Sequence, residues 1–431
     1  MTRPDQVVEK IICPARCHTL DPIGAHPYRH AMRVLIPVCL GITNGSFYQE
    51  FVIGVTEALR ELGHEPSYFP FDALGTPSRN EIFSLDKQLE RSRPDVVLDL
   101  ACWGFGLSRG LTPTPKGQLP IFDAYGVSYA GILFDQPFNQ AINGITASRV
   151  YAVYPDLAHP QQVRLVFPGL KLSGEIFAPP AIRAANDRST GPGSSNRNIE
   201  ILYVGNLLVT SLTRFWNDRV LPAGFDPEFC DAVVDTVMAE PERSLHLAVE
   251  SVLSRRPASE GFNFNIHLQC IEEHLRYVFR RDAVLALARA GVRMRVVGKN
   301  WDQLALPVNV ELQEPTDYEG FFRLAGSARI CLDASTYLDG ANDRVFAYAV
   351  NRAVCFTNAS GYLRSAVGEG GGIRFYSLRG LGALVDEVQG WLGRPDALAE
   401  MGDRARSTVL GAHTWRHRLT DILAAMMPNP A

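Results

Sequence analysis

Met32-Arg-Val-Leu-Ile-Pro-Val38 opens the stretch that decides the fold. It is a short apolar run, the composition of a parallel strand buried on both faces. Gly41-Ile-Thr-Asn-Gly45-Ser46 follows. From Phe47 to Leu62 the spacing turns helical: Phe47, Phe51, Val55, Ala58, Leu59 and Leu62 share one stripe. Gly63 stops that helix, and His64 to Phe71 reads as a second strand. A helix from about Ser78 to Glu90 then leads into Pro94-Asp-Val-Val-Leu-Asp-Leu-Ala101. This order of strand, helix, strand, helix, strand predicts a doubly wound parallel sheet.

The apolar runs Gly131-Ile-Leu-Phe134, Val150-Tyr-Ala-Val-Tyr154 and Val163-Arg-Leu-Val-Phe167 read as further strands of that sheet. The alternation breaks between Pro179 and Asn198, where Asn186-Asp-Arg-Ser-Thr-Gly-Pro-Gly-Ser-Ser-Asn-Arg197 has the composition of a linker. A second α/β pattern begins at Ile199-Glu-Ile-Leu-Tyr-Val-Gly205-Asn206. It is interrupted by a mainly helical insertion over about 211–290 and resumes at Val292-Arg-Met-Arg-Val-Val-Gly298. Strands follow at Val308–Leu312, Ala328–Asp333 and Ala353–Phe356, with helices at Tyr318–Ala325, Arg344–Asn351, Leu381–Leu392, Ala397–Val409 and Trp415–Met426. The chain is thus read as an extension over 1–30, a first domain over 31–185, a linker over 186–198, a second domain over 199–412 and a closing helix over 413–431. No repeat of solenoid period is present.

Composition narrows the class. The 431 residues suffice for two or three domains. Hydrophobic residues make up 46% and charged residues 20%, which is ordinary for a globular chain with full cores. The net charge of −4 gives no footprint for nucleic acid or an anionic membrane surface. No apolar run reaches the roughly 18 residues of a membrane span, and Met-Thr-Arg-Pro-Asp-Gln at the start is unlike a signal peptide. A cytoplasmic protein is expected. The eight cysteines are scattered, several inside apolar strands, as buried reduced thiols would be. Cys13-Pro-Ala-Arg-Cys17-His18 has the spacing of a metal knuckle but no second ligand cluster, so no metal site is expected.

Ligands of open parallel sheets bind beyond the carboxyl ends of the strands, where helix N-termini present free N–H groups. Three segments lie there. In Gly41-Ile-Thr-Asn44-Gly45-Ser46, glycines four apart allow close backbone approach, or simply make a strand-to-helix turn. The segment is neither a dinucleotide fingerprint nor a P-loop. In Val297-Gly298-Lys299-Asn300-Trp301, Lys299 suits a phosphate and Trp301 suits stacking; a surface lysine beside a packed tryptophan fits equally well. The third runs from Asp333 through Asp339-Gly340-Ala341-Asn342-Asp343-Arg344. A strand ends, a polar loop follows, Asn342 or Asp343 caps a helix, and Arg344 in its first turn is a natural diphosphate partner.

This last pattern, a strand, Gly-x-Asn-x-Arg, Phe346 and a small-residue helix, resembles the signature region of GT-B glycosyltransferases, closest to the CgeB-like, spore-maturation-type branch of family-1-like transferases. His413-Thr-Trp415-Arg-His-Arg418 resembles that family's ending, and Gly205-Asn206 and Gly298 its strand ends. The resemblance covers roughly 199–427; over 32–180 it rests on architecture. It implies two Rossmann-like domains facing a cleft and a nucleotide-sugar donor. That donor would be held by Gly205, Asn206, Lys299, Asn300, Trp301 and 339–344, with Gly41, Asn44 and Gly45 lining the cleft on the acceptor side. The acceptor would be a glycan or protein hydroxyl. No metal or other cofactor is implied, since helix dipoles and basic side chains neutralise the leaving diphosphate, and no Asp-x-Asp motif is present. Two positions depart from the family: its ribose-binding Glu is Ala347, and Asp339 stands where related retaining enzymes carry the first Glu of a pair.

An inverting transferase needs a general base. Asp135, just past an apolar strand, is the first candidate, with Asp99, Asp123 and Glu50 behind it; Asp135 before Pro137 also suits a plain turn. A retaining enzyme would use the donor phosphate instead. A sugar-nucleotide epimerase, a non-catalytic sugar- or nucleotide-binding protein and a periplasmic-binding-type clamp are the competing readings.

Overall fold

The computed structural model describes residues 31–42, 47–72, 77–115, 117–140, 142–189, 197–207, 214, 216–217, 220–259 and 261–427. Residues 1–30, with the Cys13/Cys17/His18 motif, and Asn44 and Gly45 therefore lie outside the described residues. The chain divides into two compact units. One comprises 1–155, 169–178 and 415–431, the other 156–168 and 179–414. The chain thus crosses between units after 155, 168, 178 and 414, whereas the linker-like stretch 186–198 lies inside the second unit. A linker signal registers only polarity.

In the first unit, β1 (Arg33–Cys39), α1 (Phe47–Glu61), β2 (Glu65–Phe71), α2 (Arg79–Ser92) and β3 (Val96–Leu100) follow the predicted order. Ser78 and Glu81 close a capping box at the start of α2. A small hairpin of β4 (Leu111–Thr114) and β5 (Gly117–Pro120) and the single turn α3 (Ile121–Ala124) precede β6 (Ser128–Ile132), β7 (Val150–Tyr154) and β8 (Gly174–Phe177). The six main strands are all parallel, in the order β2-β1-β3-β6-β7-β8. The terminal helix Trp415–Met426 belongs to this unit, where Trp415 packs edge-on against Phe51 and Phe134 at centroid separations of 5.6 and 6.1 Å.

The second unit takes in α4 (His159–Val166), where a strand is expected at 163–167. Pro160 fits the first turn of a helix, and His159, Gln162 and Val163 bury one helical face. A four-residue apolar run cannot separate a strand from one turn of buried helix. Next come β9 (Ile199–Val204), α5 (Pro227–Ala239), α6 (Leu245–Leu253) and the long α7 (Phe264–Arg289), which together make the helical insertion. The sheet continues with β10 (Met294–Val297), β11 (Val310–Gln313), α8 (Tyr318–Ser327), β12 (Ala328–Leu332), α9 (Asp343–Val350), β13 (Val354–Asn358), α10 (Gly361–Ala366) and β14 (Ile373–Tyr376), followed by α11 (Leu381–Leu392) and α12 (Pro395–Ala412). Its parallel order is β11-β10-β9-β12-β13-β14. In order of succession within the sheet this is 3-2-1-4-5-6, the doubly wound order that reverses between the first and fourth strands. That switch point lies between β9 and β12.

Buried in the first unit, Asp99 of β3 is fully enclosed. It accepts from the Gly104 N–H at 3.0 Å and from the Tyr129 hydroxyl. It holds the turn at Ala101 and Cys102, both left-handed at φ 62° and 54°. Burial lifts its carboxyl to about 7 against the opposing pull of those hydrogen bonds. The folded state therefore binds this proton more tightly than the unfolded chain, and stability falls as pH rises from about 4 through 7. Asp99→Asn removes the titration while its Oδ1 can still accept from the Gly104 N–H and its Nδ2 can donate to the Tyr129 hydroxyl oxygen. Wild type should lose roughly 2–4 kcal/mol relative to the variant between pH 4 and 8, measured by urea denaturation at a series of pH values.

Candidate functional site

Asp333 is the first residue beyond β12, at the switch point. Its side chain is 1% exposed. Both carboxylate oxygens accept from Asn342 Nδ2, at 3.1 and 3.0 Å. Oδ2 also accepts from Thr357 Oγ1 at 3.1 Å, and Oδ1 pairs with Arg344 Nη2 at 3.2 Å. Its N–H donates to the Phe356 carbonyl, and its carbonyl accepts from the Tyr376 hydroxyl at 2.7 Å. One residue therefore ties together the ends of β12, β13 and β14 and the start of α9.

Asn342 caps α9 through Oδ1, which accepts from the Val345 N–H at 3.3 Å. Arg344, 20% exposed, reaches back across the switch point and donates to the Val204 carbonyl of β9 at 3.2 Å. Burial works against its charge, but Asp333, helped by Tyr203, Tyr348 and Asp343, holds the guanidinium above its ordinary range. Asp343 accepts from the Tyr318 hydroxyl at 3.0 Å, and burial raises its carboxyl despite the neighbouring Arg344. So Arg344 does reach the ligand edge of the sheet, but as the partner of Asp333.

The loop before this helix is fixed by a carboxylate the sequence did not mark. Asp156 accepts from the Ala158 N–H at 2.7 Å and the Asp339 N–H at 3.0 Å, and bridges Gly340. Its carboxyl rises to about 6, chiefly through burial, with the nearby Asp339 contributing. Ser360 Oγ donates to the Gly340 carbonyl at 2.6 Å, and Ala341 is buried. From α7, Glu272 accepts from Thr336 Oγ1 at 2.6 Å while pairing with Arg276.

The two remaining loops of this edge are locked together. Gly205 N–H donates to the Val297 carbonyl, and Leu207 N–H to Lys299. Asn206 Oδ1 accepts from the Lys299 N–H at 2.9 Å, and Asn300 Nδ2, on a left-handed residue at φ 68°, donates to Leu207 at 2.7 Å. Gly298 has φ 151°, and a Cβ there would lie 2.2 Å from the Gly205 carbonyl oxygen, so only glycine allows this approach. Trp301 is 1% exposed and donates to Gly205 at 2.7 Å; its ring packs edge-on to Tyr203. The tryptophan is packed. The Lys299 side chain is exposed. Arg280 of α7 donates to the Asn206 carbonyl at 3.4 Å. Sequence reading passes over it because it lies inside the helical insertion.

In the first unit, Gly41 lies exposed in a 3-10 turn after β1, with only ordinary contact beside it. Asp135 Oδ1 accepts from the N–H of the next residue, Gln136, at 2.8 Å, the geometry of a turn. Ala347 is fully buried in the core beneath α9, so a carboxylate is absent there and the position faces packed side chains.

The parallel-strand edge, with capped helix, locked glycine loops and basic side chains, is the kind of surface that receives a phosphorylated ligand. Residues 280–424 match a family described as glycosyl transferase-like. Sucrose-phosphate synthase from Thermosynechococcus elongatus shares the fold, with 9% identity over 91% of this chain and 98% of that one, at a TM-score of 0.50. A glycosyltransferase from Rickettsia africae (10% identity, 93% and 98% coverage, TM-score 0.49) and AviGT4, a glycosyltransferase of avilamycin A biosynthesis (14%, 92% and 96%, 0.47), are also similar. No curated protein matches the chain by sequence. The fold is that of GT-B glycosyltransferases. Among the described residues no helix is long and apolar enough to cross a membrane.

Two outcomes follow for this glycosyl transferase-like domain. Asp333→Asn leaves Arg344 without its anionic partner and should cost about 3 kcal/mol in urea unfolding. Arg344→Gln added to it should cost much less than its separate effect, the signature of a coupled pair. Gly298→Ala must push the Gly205 loop aside and should lower stability by more than about 2 kcal/mol, read as a fall in Tm.

Proposed function

We propose that this chain transfers a sugar from a nucleotide-sugar donor to a hydroxyl of a glycan or protein acceptor, without a metal ion, and that it belongs to the CgeB-like branch of GT-B enzymes. The observation that carries the proposal is the switch point of the second unit. Three loops of one strand edge, at Gly205-Asn206, Lys299-Asn300 and 339–344, converge there with the amino end of α9. The donor's nucleoside diphosphate is assigned to this edge and the acceptor to the first unit. In the reaction, the bond between the anomeric carbon and the phosphate oxygen breaks and a bond from that carbon to the acceptor oxygen forms. The acceptor proton leaves to a base, and the diphosphate departs with the bonding pair. Exposed Lys299 and the α9 N-terminus supply positive charge where the leaving group gains negative charge. That charge supports metal-independent transfer.

Asp135 is the base we assign for acceptor deprotonation. The buried free thiols of Cys39, Cys102, Cys230, Cys331 and Cys355 support a reducing, cytoplasmic setting. A second reading, a binding protein without turnover, draws on Ala347, which leaves no ribose-binding carboxylate on α9.

Thermal-shift screening against UDP-, GDP-, dTDP- and CMP-sugars should raise Tm with at least one; a flat response to all of them sinks the donor assignment. Hydrolysis of the responding donor by wild type separates an enzyme from a binding protein. Lys299→Ala should slow that hydrolysis about 10- to 100-fold with Tm unchanged, by analogy with losing one preorganised donor at a developing charge. Asp135→Asn should lower kcat of transfer by about 10²- to 10⁴-fold; an unchanged kcat would pass the proton to the donor phosphate.

A further inference from the structure

The family pattern makes Arg344 the diphosphate partner. The geometry divides the work differently. Arg344 spends its guanidinium on Asp333 and on the Val204 carbonyl. Arg280 reaches the same place from another direction. It lies nine residues before the end of α7, about 14 Å back along the helix axis, so its side chain arrives at the carboxyl edge of the sheet. There it touches the Asn206 carbonyl at 3.4 Å, while Arg344 touches Val204. The two guanidinium groups therefore bracket the backbone of Gly205.

Their partners differ. Arg276, one turn earlier on α7, is neutralised by Glu272 through contacts of 2.7 and 2.8 Å. Arg344 has Asp333. Among the described residues no carboxylate pairs with Arg280; its other contact is the ring of Tyr277, 5.6 Å away. Its Nε is buried without a hydrogen-bond partner, and so is the Tyr203 hydroxyl at the end of β9. That hydroxyl is placed so that a Cβ on Gly205 would lie 2.8 Å from it. Two buried, unmatched polar groups and an unneutralised guanidinium at one strand end are costly unless something anionic completes them. Burial lowers the Arg280 pKa and the charge of Arg344 adds to the fall, so an anion here also relieves repulsion between two cations.

We propose that Arg280, with the Tyr203 hydroxyl beside it, binds the diphosphate of the ligand at Gly205, and that Arg344 is a positioning residue that holds the loop edge in place for it. The proposal rests on the donor reading above. It adds that the charge on the ligand is met by a residue of the helical insertion and leaves the signature helix a structural role.

The test is calorimetric titration of UDP, GDP, dTDP, their nucleosides and inorganic pyrophosphate into wild type, Arg280→Gln and Arg280→Lys. Arg280→Gln should weaken the responding diphosphate and pyrophosphate about 10- to 100-fold, leave the nucleoside unchanged and keep wild-type Tm. Arg280→Lys should fall between. Equal diphosphate affinity in wild type and Arg280→Gln overturns the assignment while leaving the donor reading intact. Pyrophosphate binding that depends on Arg280, with no nucleotide binding at all, keeps the assignment and overturns the donor reading. Binding of neither probe by wild type overturns both. Should Arg280→Gln fail to fold, Arg280→Lys carries the comparison, since it keeps the aliphatic stem and changes only the guanidinium.

Discussion

The Asp333 carboxylate governs the second unit. It is almost wholly removed from water, a state that is unfavourable for a charge unless every lone pair is used. Asn342, Thr357 and Arg344 use them. Because those partners come from the cap of one helix, the next strand and the first turn of the helix, satisfying one carboxylate fixes the relative placement of three segments. The Tyr376 hydroxyl on the Asp333 carbonyl extends the same constraint to the sheet's edge strand. The loop 333–342 is irregular, yet its ends are held by this network and its middle by Asp156.

A carboxylate at a switch point has an electrostatic consequence. The edge of a parallel sheet beside a helix N-terminus already favours anions. Placing an acid there opposes that field, and Arg344 cancels it. Charge left over for a ligand must come from side chains outside the Asp333 network. Lys299, exposed on the loop after β10, and Arg280, on α7, are those side chains. Rigidity and attraction are thus supplied by different residues, and a preorganised edge need not reorder on binding.

Much of the architecture was legible because periodicity reports burial directly. The strand at 33–39, the stripe on 47–61 and the helices at 381–392 and 415–426 follow from spacing alone. The failures share a cause. The run at 163–167 was too short for a period to show, and Pro160 outweighed its apolar character. The hairpin at 111–120, a two-stranded sheet of its own, and the edge strand at 174–177 carry little hydrophobic signal. Gly205, Asn206, Lys299, Asn300 and 339–344 could be marked from the sequence because they follow strands. Trp301 was legible as a residue of note, but its buried indole shows that the reason is packing. Asp156, Arg280 and Tyr203 carried no local mark, since each acts on a segment distant in sequence.

By itself, then, the sequence determined the succession of elements and which loops close the strands, because both follow from hydrophobic period and turn chemistry along a contiguous stretch. The doubly wound order 3-2-1-4-5-6 of the second sheet, and with it the switch point between β9 and β12, was decided only in three dimensions. So was the pairing of Arg344 with a carboxylate eleven residues earlier. The physical reason is that a charge acts on whatever the fold brings within a few ångströms of it, and sequence distance does not encode that separation.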